Sequence, residues 1–246
     1  MSGMPAGALH AGFRSLPVGT LDQIVPGKAM ILAPHADDES LGCGGFIAEA
    51  SRLERPPLVV VVTDGTGSHP GSPGWPAARL RDRREQETRI ATARLGLPAG
   101  RLAFLRLPDT RAPHRGPEFE QAVGTMSALA REFGCDTVIA PWEHDPHCDH
   151  EAVWRMAAAL ATRDGMRLLA YPVWGWLIAP ETVLEAPAPR GWRLEVGPHL
   201  EAKAAAIRAH ETQYGDLIDD DPNGFRLPPA LLSVFEAPFE VFLRHD

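Results

Sequence analysis

The stretch Ala29-Met-Ile-Leu-Ala-Pro-His-Ala-Asp-Asp-Glu-Ser40 passes from an apolar strand pattern at 29–32 into one histidine and three carboxylates within five positions. Adjacent aspartates repel, and a glutamate beside them raises at least one carboxyl pKa unless a cation sits among them. A metal ion supplies that charge. A second run, Pro141-Trp-Glu-His-Asp-Pro-His-Cys-Asp-His150, follows another apolar strand pattern and carries three histidines and two aspartates. Two strand ends bearing metal-ligand side chains can converge on one ion.

Working outward, apolar runs bounded by turn residues recur at 29–32, 58–62, 102–107, 137–140 and 168–173. They read as strands, several of them buried on both faces. Helical patterns lie between them at 45–53, 77–95, 118–133 and 151–162. The alternation predicts an α/β fold, a three-layer, Rossmann-like and mainly parallel sheet with right-handed crossovers. Ligands in such sheets bind beyond the carboxyl ends of the strands, where both clusters fall. The Gly, Pro and Ser-rich segment 65–75 predicts a mobile rim or lid over that edge. Past 173 the pattern weakens to a helix at 198–214 and a tail at 235–243 that adds edge strands.

At 246 residues the chain fits one domain, with 1–25 as an N-terminal extension and 174–246 as a C-terminal part that shapes the substrate site. A net charge of −8 gives no reason to expect nucleic acid or an anionic membrane as partner. Cys43, Cys135 and Cys148 are widely spaced and odd in number, which argues against a disulfide framework. A reducing cytoplasm is the expected setting. The first twenty residues do not read as a signal peptide, and no stretch is long and apolar enough to predict membrane insertion.

Hydrolytic zinc takes three His, Asp or Glu ligands and leaves one position for water. His35, Asp38 and His150 make that set, with another divalent transition metal as the alternative ion. Asp37 is then free to act as general base on a metal-activated water. His147, held and kept protonated by Asp149, is the candidate donor to the carbonyl oxygen, and Glu39 is expected to support a ligand histidine from behind. An Asp-Asp-Glu run alone is more often solvated charge or a helix N-terminus. Two clusters, each after a strand, favour the metal. His144 and His69 read as loop histidines outside the ligand set.

At these residues the sequence resembles the PIG-L/LmbE-like zinc-dependent de-N-acetylase family. Its first signature, A-H-P-D-D-E or P-H-P-D-D-E, appears as Pro34-His-Ala-Asp-Asp-Glu39, and its second, H-P-D-H, as His147-Cys-Asp-His150. Val62-Thr-Asp-Gly65, the pair Arg84 and Glu87 ahead of Leu95-Gly96, Asp109, and Lys203 to Gln213 with His210 extend the likeness. It covers about two thirds of the chain by motif. Ala36 and Cys148 stand where the family has proline, which removes two backbone constraints but no ligand.

The resemblance implies the same roles for His35, Asp38, His150, Asp37, His147 and Asp149, and gives Arg84 and Asp109 to the sugar hydroxyls. It implies a hydrolase that removes acetyl, or a similar small acyl group, from an amino sugar such as an N-acetylglucosamine glycoside or conjugate, and it leaves a homo-oligomer open. One rival is a catalytically weak zinc- and glycan-binding relative. The other is a Rossmann-like nucleotide-binding module, which Gly42-Cys-Gly-Gly45 does not support because it is not G-x-G-x-x-G. Trp174 and Trp176 are candidates to stack on a sugar.

Overall fold

The structure is a computed structural model and describes residues 3–245. Its first half runs β1 (Met4–Pro5), α1 (Ala6–Ser15), α2 (Leu21–Ile24), β2 (Ala29–Ala33), α3 (Asp38–Arg52), β3 (Leu58–Thr63), α4 (Ala77–Arg94), β4 (Leu102–Leu107) and α5 (Pro117–Phe133). The second half runs β5 (Thr137–Pro141), α6 (Cys148–Asp164), β6 (Arg167–Tyr171), β7 (Val183–Leu184), β8 (Gly191–Glu195), α7 (Leu200–Ile207), α8 (Glu211–Tyr214), α9 (Pro229–Val234) and β9 (Phe239–Arg244). A seven-stranded sheet has the order β4-β3-β2-β5-β6-β9-β8, and β1 pairs with β7 separately. Strands β4 to β6 are mutually parallel; β9 is antiparallel to both of its neighbours. The mainly parallel α/β sheet is the one the sequence predicts.

Every residue of β2, β3 and β5 is buried, as apolar runs covered on both faces require. Alternate residues feed opposite layers. Ile31, Val59 and Ile139 join a core with Leu41 and Phe46 of α3, whereas Met30, Val60 and Val138 join one with Phe13 of α1, Met126 of α5 and Leu160 of α6. Residues 6–15 of the N-terminal extension are therefore part of the packing. From β2 the chain crosses to β3 on one side, while β5 lies on the other. That reversal opens a crevice beyond the carboxyl ends of β2 and β5, where the two clusters meet.

Four local expectations need correction. The helix expected at 45–53 begins at Asp38, because the run from Gly42 to Gly45 sits inside α3. A Cβ at Gly42 would lie 2.2 Å from Tyr171 Cδ2, and one at Gly45 would lie 2.4 Å from Val196 Cγ1, so these glycines admit close neighbours. Inside this glycine-bearing helix, the Gly45 and Phe46 N–H groups donate to the Glu240 carboxylate at 2.7 and 2.8 Å, and Lys203 Nζ joins it at 2.7 Å. The helix expected at 198–214 is split into α7 and α8 by a turn at His210, which drops that ring beneath α3. The tail strand β9 lies between β6 and β8, so β8 forms the edge. Segment 65–75 is pinned: Asp221 accepts from Gly71 N–H and Asp220 from Gly74 N–H, each at 2.8 Å. No helix among the described residues is long and apolar enough to cross a membrane.

Candidate active site

The loop after β2 is fixed to β3 by Pro34 O, which accepts from Thr63 N–H at 3.0 Å and from its hydroxyl at 2.8 Å. Next along the chain, the His35 N–H donates to Asp38 Oδ2 at 2.9 Å, and His35 Nδ1 lies 3.2 Å from the same oxygen. His150, in the first turn of α6, brings its Nε2 to 3.4 Å from that oxygen. This Nε2 is buried and has no hydrogen-bond partner. Two ring nitrogens thus flank one carboxylate oxygen. One donor atom from each of His35, His147 and His150 also lies within 4.8 Å of the others, as does one from each of His35, Asp109 and Asp149. The donor set suits a transition-metal ion, and the partnerless His150 nitrogen is among the atoms that could bind one. Burial alone would lower the His150 pKa, yet Asp38 and the bond to Asp145 raise it to about 9. The surrounding charge favours a cation at this point.

Asp37 precedes α3 with φ 153°, a region that residues with a Cβ rarely enter. Its N–H donates to Glu39 Oε2 at 3.1 Å, which holds the strained turn. Burial, and then the Asp38 charge, push the Asp37 carboxyl up to about 7, against the opposing Arg84 charge. Arg84 Nη2 lies 3.6 Å from Asp37 Oδ2. The same guanidinium ties two loops: Nη1 donates to Gly65 O and Nη2 to Ala36 O, both at 3.0 Å, while the buried Nε has no partner. Arg84 lines the cavity, but as a clamp between two loops. Glu39 differs from expectation too. Its carboxylate holds the Asp37 N–H, the Ser40 hydroxyl at 2.7 Å and His210 Nε2 at 3.0 Å, and no ligand histidine.

The expected pairing of His147 with the Asp149 carboxylate is absent. Asp149 Oδ2 accepts from Thr110 N–H at 2.7 Å and lies 3.1 Å from His35 Nε2, while Oδ1 accepts from Ala112 N–H at 3.0 Å. What reaches His147 is the Asp149 N–H, donated to Nδ1 at 3.2 Å as the cap of α6. Burial, then the charges of His35 and His150, bring the His147 pKa down to about 4. The ring is therefore neutral, with its proton on Nε2. Asp109 Oδ2 accepts from Gly67 N–H at 2.8 Å, and its Oδ1 lies 3.3 Å from His35 Nε2.

Sequence reasoning missed Asp145. Its Oδ2 lies 3.0 Å from His150 Nδ1 and accepts from Val173 N–H at 2.9 Å; its Oδ1 accepts from Gly175 N–H at 2.7 Å. This buried carboxylate accepts from Nδ1–H, which fixes the ring and leaves Nε2 as the nitrogen turned toward Asp38. The available signal was its position within the second histidine run.

His35, Asp37, Asp38, Asp109 and His147 line a cavity of about 340 Å³ together with Leu41, Trp174, Phe225 and Leu227. His144 lies in a different cleft, of about 540 Å³, with its ring against Trp142. Trp176 packs on Phe13 instead of lining the site, and His69 is buried against Ser68.

A family model described as PIG-L, GlcNAc-PI de-N-acetylase, matches residues 30–161, more than half of the chain. The chain belongs to the PIG-L family. Across 240 residues it is 27% identical to the 1D-myo-inositol 2-acetamido-2-deoxy-alpha-D-glucopyranoside deacetylase of Mycobacteroides abscessus, covering 81% of this chain and 85% of that protein. It is 30% identical over 135 residues to the 2'-N-acetylparomamine deacetylase of Streptomyces fradiae, a match to 50% of this chain and 48% of that one. The N,N'-diacetylchitobiose deacetylase of Pyrococcus horikoshii shares the fold, with a TM-score of 0.62 at 18% identity over 92% of this chain and 91% of that chain. The PIG-L match contains both histidine runs, Asp37 and Asp145, and ends before Trp174, Phe225 and Leu227.

Proposed function

We propose that this PIG-L chain is a zinc-dependent hydrolase that removes an N-acetyl, or similarly small N-acyl, group from an amino sugar or its conjugate. The observation that carries the reading is the convergence of His35 Nδ1 and the partnerless His150 Nε2 on Asp38 Oδ2, one residue from Asp37. These three side chains would hold the ion. Asp109 and Asp149 suit the role less well, because both carboxylates lie beside His35 Nε2 and not beside the Nδ1 that, with His150 Nε2, faces Asp38. They serve better to accept the His35 Nε2 proton and leave Nδ1 free.

Bound zinc supplies a Lewis acid that lowers the pKa of water to about 7. The remaining chemistry is protein chemistry. Asp37, buried and titrating near neutrality, takes the proton from the attacking water and returns it to the departing amine nitrogen. His147, neutral and protonated at Nε2, donates to the carbonyl oxygen as charge gathers there. Arg84 positions Asp37, and the lone pairs of Asp109 that face the cavity accept from a sugar hydroxyl. Residues 1–246 act as one domain whose C-terminal part completes the pocket.

Metal content and turnover measured on the same samples test the reading. His150→Ala should lose zinc and activity together, and Asp37→Asn should keep zinc and lose most turnover. A zinc-free His150→Ala protein with wild-type acetate release contradicts the proposal.

A further inference from the structure

The charged and histidine side chains of the cavity have their tasks in the proposed hydrolysis, but Trp174, Phe225 and Leu227 have none. They are not incidental surface. The Trp174 N–H donates to Asp145 Oδ2 at 3.1 Å, the carboxylate that also orients His150. The Phe225 N–H donates to Ser68 O at 2.7 Å, and the Leu227 N–H to Gln213 O at 2.8 Å. The Trp174 and Phe225 rings meet edge to face with centroids 5.8 Å apart. Both pack on the core that contains Leu41 and Leu227, so the apolar lining is continuous with the interior and held in place. Asp220 and Asp221 fix the same rim from outside.

Such a surface offers nothing to a sugar hydroxyl and gains free energy when it is covered by another apolar surface. We propose that the substrate carries an apolar group on its N-acylated amino sugar, and that Trp174, Phe225 and Leu227 receive it. This rests on the reading of the site as an N-deacylase and adds the class of substrate. Two sources share the chemistry: an N-acyl chain longer than acetyl, or an apolar aglycone. All three residues lie in the C-terminal part, outside the residues that the family model matches, so the preference is set there.

The experiment compares kcat/KM of the zinc-loaded full chain on two pairs of substrates. One pair is N-acetylglucosamine and N-octanoylglucosamine; the other is the methyl and phenyl glycosides of N-acetylglucosamine. In at least one pair the apolar member is favoured by about ten-fold or more, and the pair that shows it identifies the source. Trp174→Ala and Leu227→Ala reduce that ratio, and Trp174→Phe retains most of it. Two variants at separate positions guard against one that fails to fold. Ratios near unity in both pairs, or an advantage undiminished in both alanine variants, overturn the proposal. If none of the four sugars is hydrolysed, calorimetric titration with phenyl and methyl β-D-glucosides, which have no amide, separates the two claims. Tighter binding of the phenyl glucoside that weakens in Trp174→Ala retains the apolar site while the deacylase reading fails; equal binding overturns the apolar site itself.

Discussion

Asp37 sits at the junction of two constraints, a backbone turn at φ 153° and a carboxyl raised to about 7. Neighbours hold the turn, Glu39 by its N–H and Arg84 by the loop beside it, while burial and the Asp38 charge raise the carboxyl. Replacing the carboxylate should remove proton transfer without disturbing the ligands, so Asp37→Asn is expected to lower kcat by roughly 10²–10⁴-fold at unchanged zinc content. Asp145 makes a contrasting prediction. Asp145→Asn disturbs the proton arrangement of His150, and zinc affinity should fall by about 10–100-fold in competition titrations against a chelating dye, with activity recovering as zinc is raised. Unchanged affinity would remove Asp145 from the account. The first-run residues and His150 were legible because metal-ligand types crowd into short loops after strands. The partner of Asp149 was not, since adjacency to His147 says nothing about a carboxylate that folds back on His35 from a separate strand end.

Helix α3 shows what local sequence hides about an element. A glycine run reads as a loop, but here Gly42 and Gly45 admit Tyr171 and Val196, and Glu240 from β9 binds N–H groups inside the helix. Gly45→Ala should therefore destabilise the protein by up to about 2 kcal/mol, about 1–3 from overpacking less about 1 gained in helix propensity. Urea unfolding checks it; a stability equal to wild type or higher would show that Val196 moves freely aside. Near the end of the same helix, hydrogen bonding from Arg52 leads the influences that bring Glu49 down to about 2, with His199 contributing. A depressed folded-state pKa stabilises above the ordinary carboxylate range, and that contribution is lost as pH falls from there through about 2. Glu49→Gln should be less stable than wild type near neutrality, with the gap closing in acid and narrowing in high salt. A gap that persists in acid contradicts the assignment. The strands were readable because both-face burial demands continuous apolar residues. The split at His210 was not, because the buried Glu39 carboxylate that draws the ring inward lies over a hundred residues away.

At the scale of the whole molecule, the order β4-β3-β2-β5-β6 places the reversal of the sheet between two ligand-bearing loops. That much follows from alternating strands and helices, so the location of the candidate site was legible before its geometry. The C-terminal part was less so. It enters by antiparallel strands and by loops tied across the crevice through Asp220 and Asp221, contacts without a periodic pattern in the chain. Through it the cavity acquires Phe225 and Leu227, which lie beyond the residues that the family model matches. We propose that one ion, held where β2 and β5 end, makes this chain an amide hydrolase. The most direct test is acetate release from N-acetylated amino sugars by protein stripped with a chelator and then reloaded with zinc. The stripped protein should release no acetate, and recovery should track the zinc added. Undiminished release after stripping, with zinc shown to be absent, would contradict the proposal.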